Sequence, residues 1–194
     1  MNNQLNKFKD PREIEKALER INSAGGLYAV WNCMHRINLA ENILMHCLKT
    51  SGNFVDNNGY TCAMYVCRNN VRLPDKIILY CLELSGDQVG MDGKNCAMIA
   101  CEYQEYISKA IAEKCIESSG KHADKFGMTC AMYLCQTCLN LSEDILKKCL
   151  IYSGNQHDDK LRNYSMIIAE YQDNLSEEMI QLCINTIEKH IQVY

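Results

Sequence analysis

Cys47, Cys81, Cys115, Cys149 and Cys183 stand 34 residues apart without exception, and this period constrains the chain more than any other feature. A second column at the same spacing runs Cys33, Cys67, Cys101, Cys135, with Ala169 in fifth place. A third runs Ala29, Ala63, Ala97, Ala131, Ser165, and a fourth Val30, Met64, Met98, Met132, Met166. Ser-Gly recurs at 51–52, 85–86, 119–120 and 153–154. Gly25, Gly59, Gly93 and Gly127 form a further column, which Leu161 breaks. So many columns agreeing on one period mark a tandem repeat, and a period of this length means stacked supersecondary units.

Each unit reads as two helices. Thr61, Asn95, Thr129 and Asn163 share a column of good N-cap residues, whose side chains accept from the free amides of the first turn. Ala, Met and Cys then follow at i, i+1 and i+4, one face of a helix. A second cap column holds Ser108, Ser142 and Ser176, with Glu143, Asp144, Glu177 and Glu178 next, where acids complement the helix dipole. Pro74 in the same column suits a helix start. Helix two carries an apolar stripe of Ile43, Ile77, Ile111, Ile145 and Met179 in register with the invariant cysteines and with Leu48, Leu82, Ile116, Leu150 and Ile184. Ser-Gly ends it, glycine supplying the left-handed residue.

Residues 1–24 lie outside the period. Asp10-Pro11-Arg12-Glu13 is a helix start, and Ile14, Ala17, Leu18 and Ile21 share one face, as expected of a helix capping the first unit. The units are 25–58, 59–92, 93–126, 127–160 and 161–194. The last is expected to close the stack with a wettable surface carrying Glu178, Gln181, Asn185 and Glu188. No Pro/Gly/Ser-rich linker interrupts residues 1–194, which read as a single domain. The predicted architecture is all-α: an α-solenoid of five helix–turn–helix repeats behind an N-terminal capping helix.

The unit G-x-T-C-A-M-Y-x-C, then a second helix ending in Ser-Gly, then a loop returning to Asp/Asn-Gly, resembles the ankyrin repeat. Asn58-Gly59-Tyr60-Thr61 and Asp92-Gly93-Lys94-Asn95 match the opening of its first helix, and the resemblance spans residues 25 to about 190. Cysteine stands where ankyrins place proline, alanine where they place leucine, and methionine where they place histidine. The connection between helices is longer than the family's and the inter-repeat loop shorter, so its β-hairpin fingers are expected to be stunted or absent. Tetratricopeptide repeats share the period but have a different large-residue pattern and short turns. The alternative is an RNA-reading array of pentatricopeptide type, although its Thr-to-Gly span exceeds the 25 residues from Thr61 to Gly86.

With 20 Lys+Arg against 24 Asp+Glu and a net charge of −4, the chain lacks the basic excess that nucleic acid or an anionic membrane asks for. No apolar run approaches bilayer length, and the first residues lack a signal peptide's apolar core. Thirteen cysteines, an odd number, then suit a reducing cytoplasm, the producer's or a host's. Only Cys135 and Cys138 have C-x₂-C spacing, without a second pair to complete a zinc tetrahedron. Stacked helices about 8–10 Å apart exceed the roughly 7 Å Cα separation that a disulfide spans, so most thiols are expected to lie apart as core residues. The methionine column reads as core as well. His35, His46, His122, His157 and His190 show no metal spacing, so no metal or cofactor is expected.

No nucleophile elbow, P-loop, dinucleotide fingerprint or H-E-x-x-H occurs. The chain is therefore read as a non-enzymatic binder of another protein, a stoichiometric inhibitor or adaptor acting by occupancy. Compact ankyrin-like arrays of this kind resemble viral, phage and bacterial effectors. Columns that vary between units are expected to face solvent, and ankyrin-like proteins bind through loop tips and the helix-one side. Hot spots favour aromatic and arginine side chains, which selects Tyr60, Arg68, Tyr103, Tyr106, Phe126 and Tyr171 as binding candidates. Trp31, Tyr65 and Tyr133 share a mostly apolar column and are assigned to packing.

Overall fold

The computed structural model of the chain describes residues 11–154 and 156–191. Among these, regular structure is wholly helical: α1 (Pro11–His35), α2 (Glu41–Ser51), α3 (Cys62–Asn69), α4 (Asp75–Ser85), α5 (Cys96–Tyr103), α6 (Lys109–Ser119), α7 (Cys130–Thr137), α8 (Glu143–Ser153), α9 (Tyr164–Tyr171) and α10 (Glu177–Ile191). The N-terminal helix and the first helix of unit one form a single element, α1, broken into two arms at Gly25 (φ 72°, ψ −162°). Ile21 of the first arm is fully buried. Asp10 and the side chains of Ile14, Ala17 and Leu18 lie outside what is described.

The cap columns explain where the helices begin. Thr61, Asn95, Thr129 and Asn163 each accept from the amide three residues on, that of Met64, Met98, Met132 and Met166. Ser108 and Ser176 cap α6 and α10 in the same way. Ser142 makes no such bond, and Pro74 sits at the N-cap rather than in the first turn. The serine of Ser-Gly has a role that helix termination alone does not predict. Ser85 and Ser153 are buried against the hydroxyls of Thr61 and Thr129, at 2.7 and 3.1 Å, and Ser119 accepts from Asn95. The two helices of the three middle units are thereby clipped together at one end.

Contacts run between neighbours only. Odd-numbered helices pack on one another in series from α1 to α9, even-numbered helices from α2 to α8, and each packs on the helix that follows it. Met64, Met98 and Met132 are fully buried between them, and all thirteen cysteines are buried and free.

The thiols are not kept apart. Cys62 Sγ lies 3.4 Å from Cys33 Sγ, Cys96 3.9 Å from Cys67, and Cys130 3.4 Å from Cys101. Cys47, Cys81 and Cys115 hydrogen-bond to the same central thiols, completing one trio per seam. Equivalent cysteines stand 34 residues apart, whereas the touching pairs belong to different columns, 29 apart, that interleave where units meet. At the fourth seam Tyr164 takes the outer place, its buried hydroxyl beside the thiols of Cys135 and Cys149 but without a hydrogen bond of normal geometry. Burial pushes Cys135 and Cys149 up to about 12. A bond to the neighbouring thiol, then burial, holds Cys96 and Cys115 well above the ordinary range.

A second seam device went unrecognised in the sequence. Gln104, fully buried, donates from Nε2 to the carbonyls of Cys67 and Asn70 in the unit before, and its Oε1 accepts from Leu73 N–H. Gln172 repeats this with Cys135, Cys138 and Leu141. Asn70, in the same column, accepts from Leu39 N–H. The amides of Gln104 and Gln172 satisfy carbonyls at the ends of α3 and α7, groups with no partner inside the helix.

Candidate functional site

The inter-unit loops are built around buried or half-buried aspartates. Asp56 Oδ1 accepts from the amides of Asn58 and Tyr60, and its Oδ2 from the Tyr65 hydroxyl at 2.7 Å. Asp124 does the same for Phe126, Met128 and the Tyr133 hydroxyl. Asp158 binds the amides of Lys160 and Arg162 and the Arg162 guanidinium. Burial, then the bond to Asp56, raises the Tyr65 hydroxyl to about 12, and burial followed by Asp124 raises that of Tyr133. Each loop closes with one antiparallel bridge, Val55–Thr61, Val89–Asn95, Ala123–Thr129 and His157–Asn163, and no strand extends from any of them.

Unit two departs from the aspartate pattern. Gly90 replaces the aspartate, and a Cβ there would stand 2.6 Å from the Tyr60 ring. Tyr60 occupies that space, donating its hydroxyl to Asp92 at 2.5 Å. Loop tips are also joined through backbone: Met91 N–H donates to Asn58 carbonyl and Lys125 N–H to Asp92 carbonyl.

Where these loops meet the ends of α1 and α3, a groove of about 460 Å³ opens. Met34, Arg68, Met91 and Asp92 line it beside Tyr65 and Asn69. Met34 and Met91 are exposed apolar walls. The Arg68 guanidinium lies 5.6 Å from the Tyr103 ring centroid, a cation–π contact that fixes a long side chain in place while its charge stays in solvent. Other cations along this face are tied to carboxylates: Lys94 to Glu102 at 2.7 Å, and Arg162 to Asp158 and Glu170.

The six candidates do not converge. Tyr60 and Arg68 both line the groove, and Tyr103 is joined to it through its contact with the Arg68 guanidinium. Tyr60 is largely buried because Gly90 leaves room for its ring, and Lys94 and Arg162 in its column are half-buried. Met128 in that column is buried as well. Tyr106, the most exposed of the six, lies in a separate depression of about 440 Å³ with Arg72, Leu73 and Glu105. Phe126 is an exposed loop-tip residue, and Tyr171, half buried, is engaged by Arg162. Trp31 does not pack as Tyr65 and Tyr133 do; it is largely exposed, stacked on Tyr28 with centroids 5.6 Å apart and tilted against His35. Met91 was missed, the only signal being an apolar residue at a loop tip.

Among the described residues no group of three or more His, Cys, Asp or Glu is placed to hold a metal ion, and no helix is long and apolar enough to cross a membrane. Compared with protein-family models and with curated proteins, the chain matches none.

Proposed function

We propose that this chain is a divergent ankyrin-like solenoid of five units that acts without catalysis, by occupying a surface of another protein. The observation that supports this reading best is the groove between the loop tips and the ends of α1 and α3. A stacked, exposed arginine stands there between two exposed methionines on a rigid frame of buried aspartates and interlocked backbone. Arginine and aromatic side chains held in place before binding lose little freedom on binding, and such residues dominate binding energy in protein interfaces. Adaptable methionine walls suit apolar side chains.

The test is affinity capture from cell lysate with the intact chain and with the Arg68→Glu, Tyr103→Ala double variant, folding of each checked by circular dichroism. Specific recovery of a stoichiometric partner that falls at least tenfold with the variant is expected. Recovery of the same partner in full by a folded variant would remove the groove from the interface.

A further inference from the structure

Charges on the loop-facing side of the first helices follow a pattern that one unit inverts. In units three and five a cation before the helix, Lys94 or Arg162, meets the carboxylate eight residues on, Glu102 or Glu170. Unit four has neither charge, with Met128 and Gln136 in those places. In unit two Tyr60 stands where the cation would be, and Arg68 where the carboxylate would be. The exposed Arg68 guanidinium therefore faces the Tyr103 ring, at 5.6 Å, instead of an acid of its own unit.

Arg68 is the one cation and Asp92 the one acid among the described residues that line the groove. Asp92 is engaged through both oxygens, Oδ2 accepting from the Tyr60 hydroxyl and Oδ1 from Lys94 N–H. The Tyr65 hydroxyl donates to Asp56, and Asn69 Nδ2 to the carbonyls of Cys33 and Met34. Of the charged groups in the groove, the guanidinium alone is left unmatched. It is a planar fork of N–H donors with no acceptor, which a carboxylate meets through two parallel bonds. Its stacking on Tyr103 holds that fork in place. Met34 and Met91, both exposed, flank it with apolar surface. A single cation beside the Asp92 carboxylate suits one negative charge better than the two of a phosphate. A nucleic-acid backbone asks for a row of cations, and along this face Lys94 and Arg162 are neutralised.

We propose that the groove takes an acidic–apolar segment of a protein chain, with an aspartate or glutamate carboxylate on Arg68 and neighbouring apolar side chains against Met34 and Met91. This rests on the protein-binding reading of the groove and adds the chemistry of the partner. The probe is a random peptide library displayed on phage and selected on the immobilised full chain, with enriched sequences titrated as synthetic peptides. Enriched peptides are expected to carry Asp or Glu beside large apolar residues, and changing that acid to its amide to weaken binding about tenfold or more. Arg68→Glu, with folding checked by circular dichroism, is expected to lose the same peptides and to select Lys or Arg in place of the acid. Arg68→Lys keeps the charge without the fork and is expected to fall between the two. Lys121→Glu, the same change of charge at an exposed site elsewhere, leaves binding intact. Selection of no peptide, peptides that bind Arg68→Glu as well as the unaltered chain, or tighter binding when phosphoserine replaces the acid would each overturn the proposal. Groove-dependent peptides without an acid would overturn it while leaving the protein-binding reading intact. That reading falls separately, if lysate capture is unchanged by the Arg68→Glu, Tyr103→Ala variant.

Discussion

Leu161 and Gly127 occupy one column under different constraints. Both backbones are left-handed, at φ 61° and 76°, but only Gly127 faces the carbonyl of a following loop. Gly127→Ala therefore meets both steric overlap and backbone strain, and is expected to cost about 3 kcal/mol in urea unfolding. Leu161→Gly removes a mostly exposed side chain. Relief of about 1–2 kcal/mol of left-handed strain, less roughly 0.4–1 of added freedom in the unfolded chain, leaves it neutral to slightly stabilising. Equal losses from the two changes would refute this account. Gln104 gives a second contrast, since Gln104→Ala strands two carbonyls and an amide. At about 1–3 kcal/mol for each unsatisfied group, a loss of 3 kcal/mol or more is expected. Cys138, in the same column, accepts from Ile107 N–H but has no amide to donate, so Cys138→Gln is expected to raise the melting temperature.

At the scale of helices and loops, much was legible because one constraint repeats. Thr61, Asn95, Thr129 and Asn163 announced four helix starts, and the methionine and cysteine columns announced the buried face. What stayed hidden depended on contacts between columns. The thiol trios join positions 29 apart, the serine of Ser-Gly meets a cap 24 residues earlier, and Tyr60 is buried only because Gly90 lacks a side chain. A periodic pattern shows which positions are equivalent and is silent on which unlike positions touch. The candidate site was legible in part for the same reason: Arg68 and Tyr103 were readable as exposed variable residues, their stacking was not. The thiols also set a pH response. Cys135 and Cys149 in the folded chain are raised to about 12 from an unfolded value near 9, so their contribution to stability is complete below pH 9 and is lost as pH climbs toward 12. Tyr65, also raised to about 12, adds to the loss above pH 10. Unfolding free energy is expected to fall from pH 9 upward by about 1.4 kcal/mol per pH unit per group. At pH 7.5 all thirteen thiols are expected to resist iodoacetamide until the chain is unfolded, and rapid alkylation of the native chain would contradict their burial.

At the scale of the whole molecule, the proposed solenoid reading makes stability a sum over units and seams, since helices contact only their neighbours. Native-state hydrogen exchange is expected to be slowest in α5 and α7, which have partners on both sides, and faster in α9 and α10. Uniform protection along the chain would mean that the units unfold only together. The seams also have a direction. Asn69 donates back to the carbonyls of Cys33 and Met34, Gln104 to those of Cys67 and Asn70, and Gln172 to those of Cys135 and Cys138. In each of these the later unit brings the side chain, which at Gln104 and Gln172 accepts from a backbone amide as well as donating, and the earlier one waits with open backbone groups. A polypeptide emerging from the ribosome makes its units in that order, so each finished helix pair offers the newcomer a template, and assembly can proceed like a zipper from its capped end without waiting for the last residue to be made.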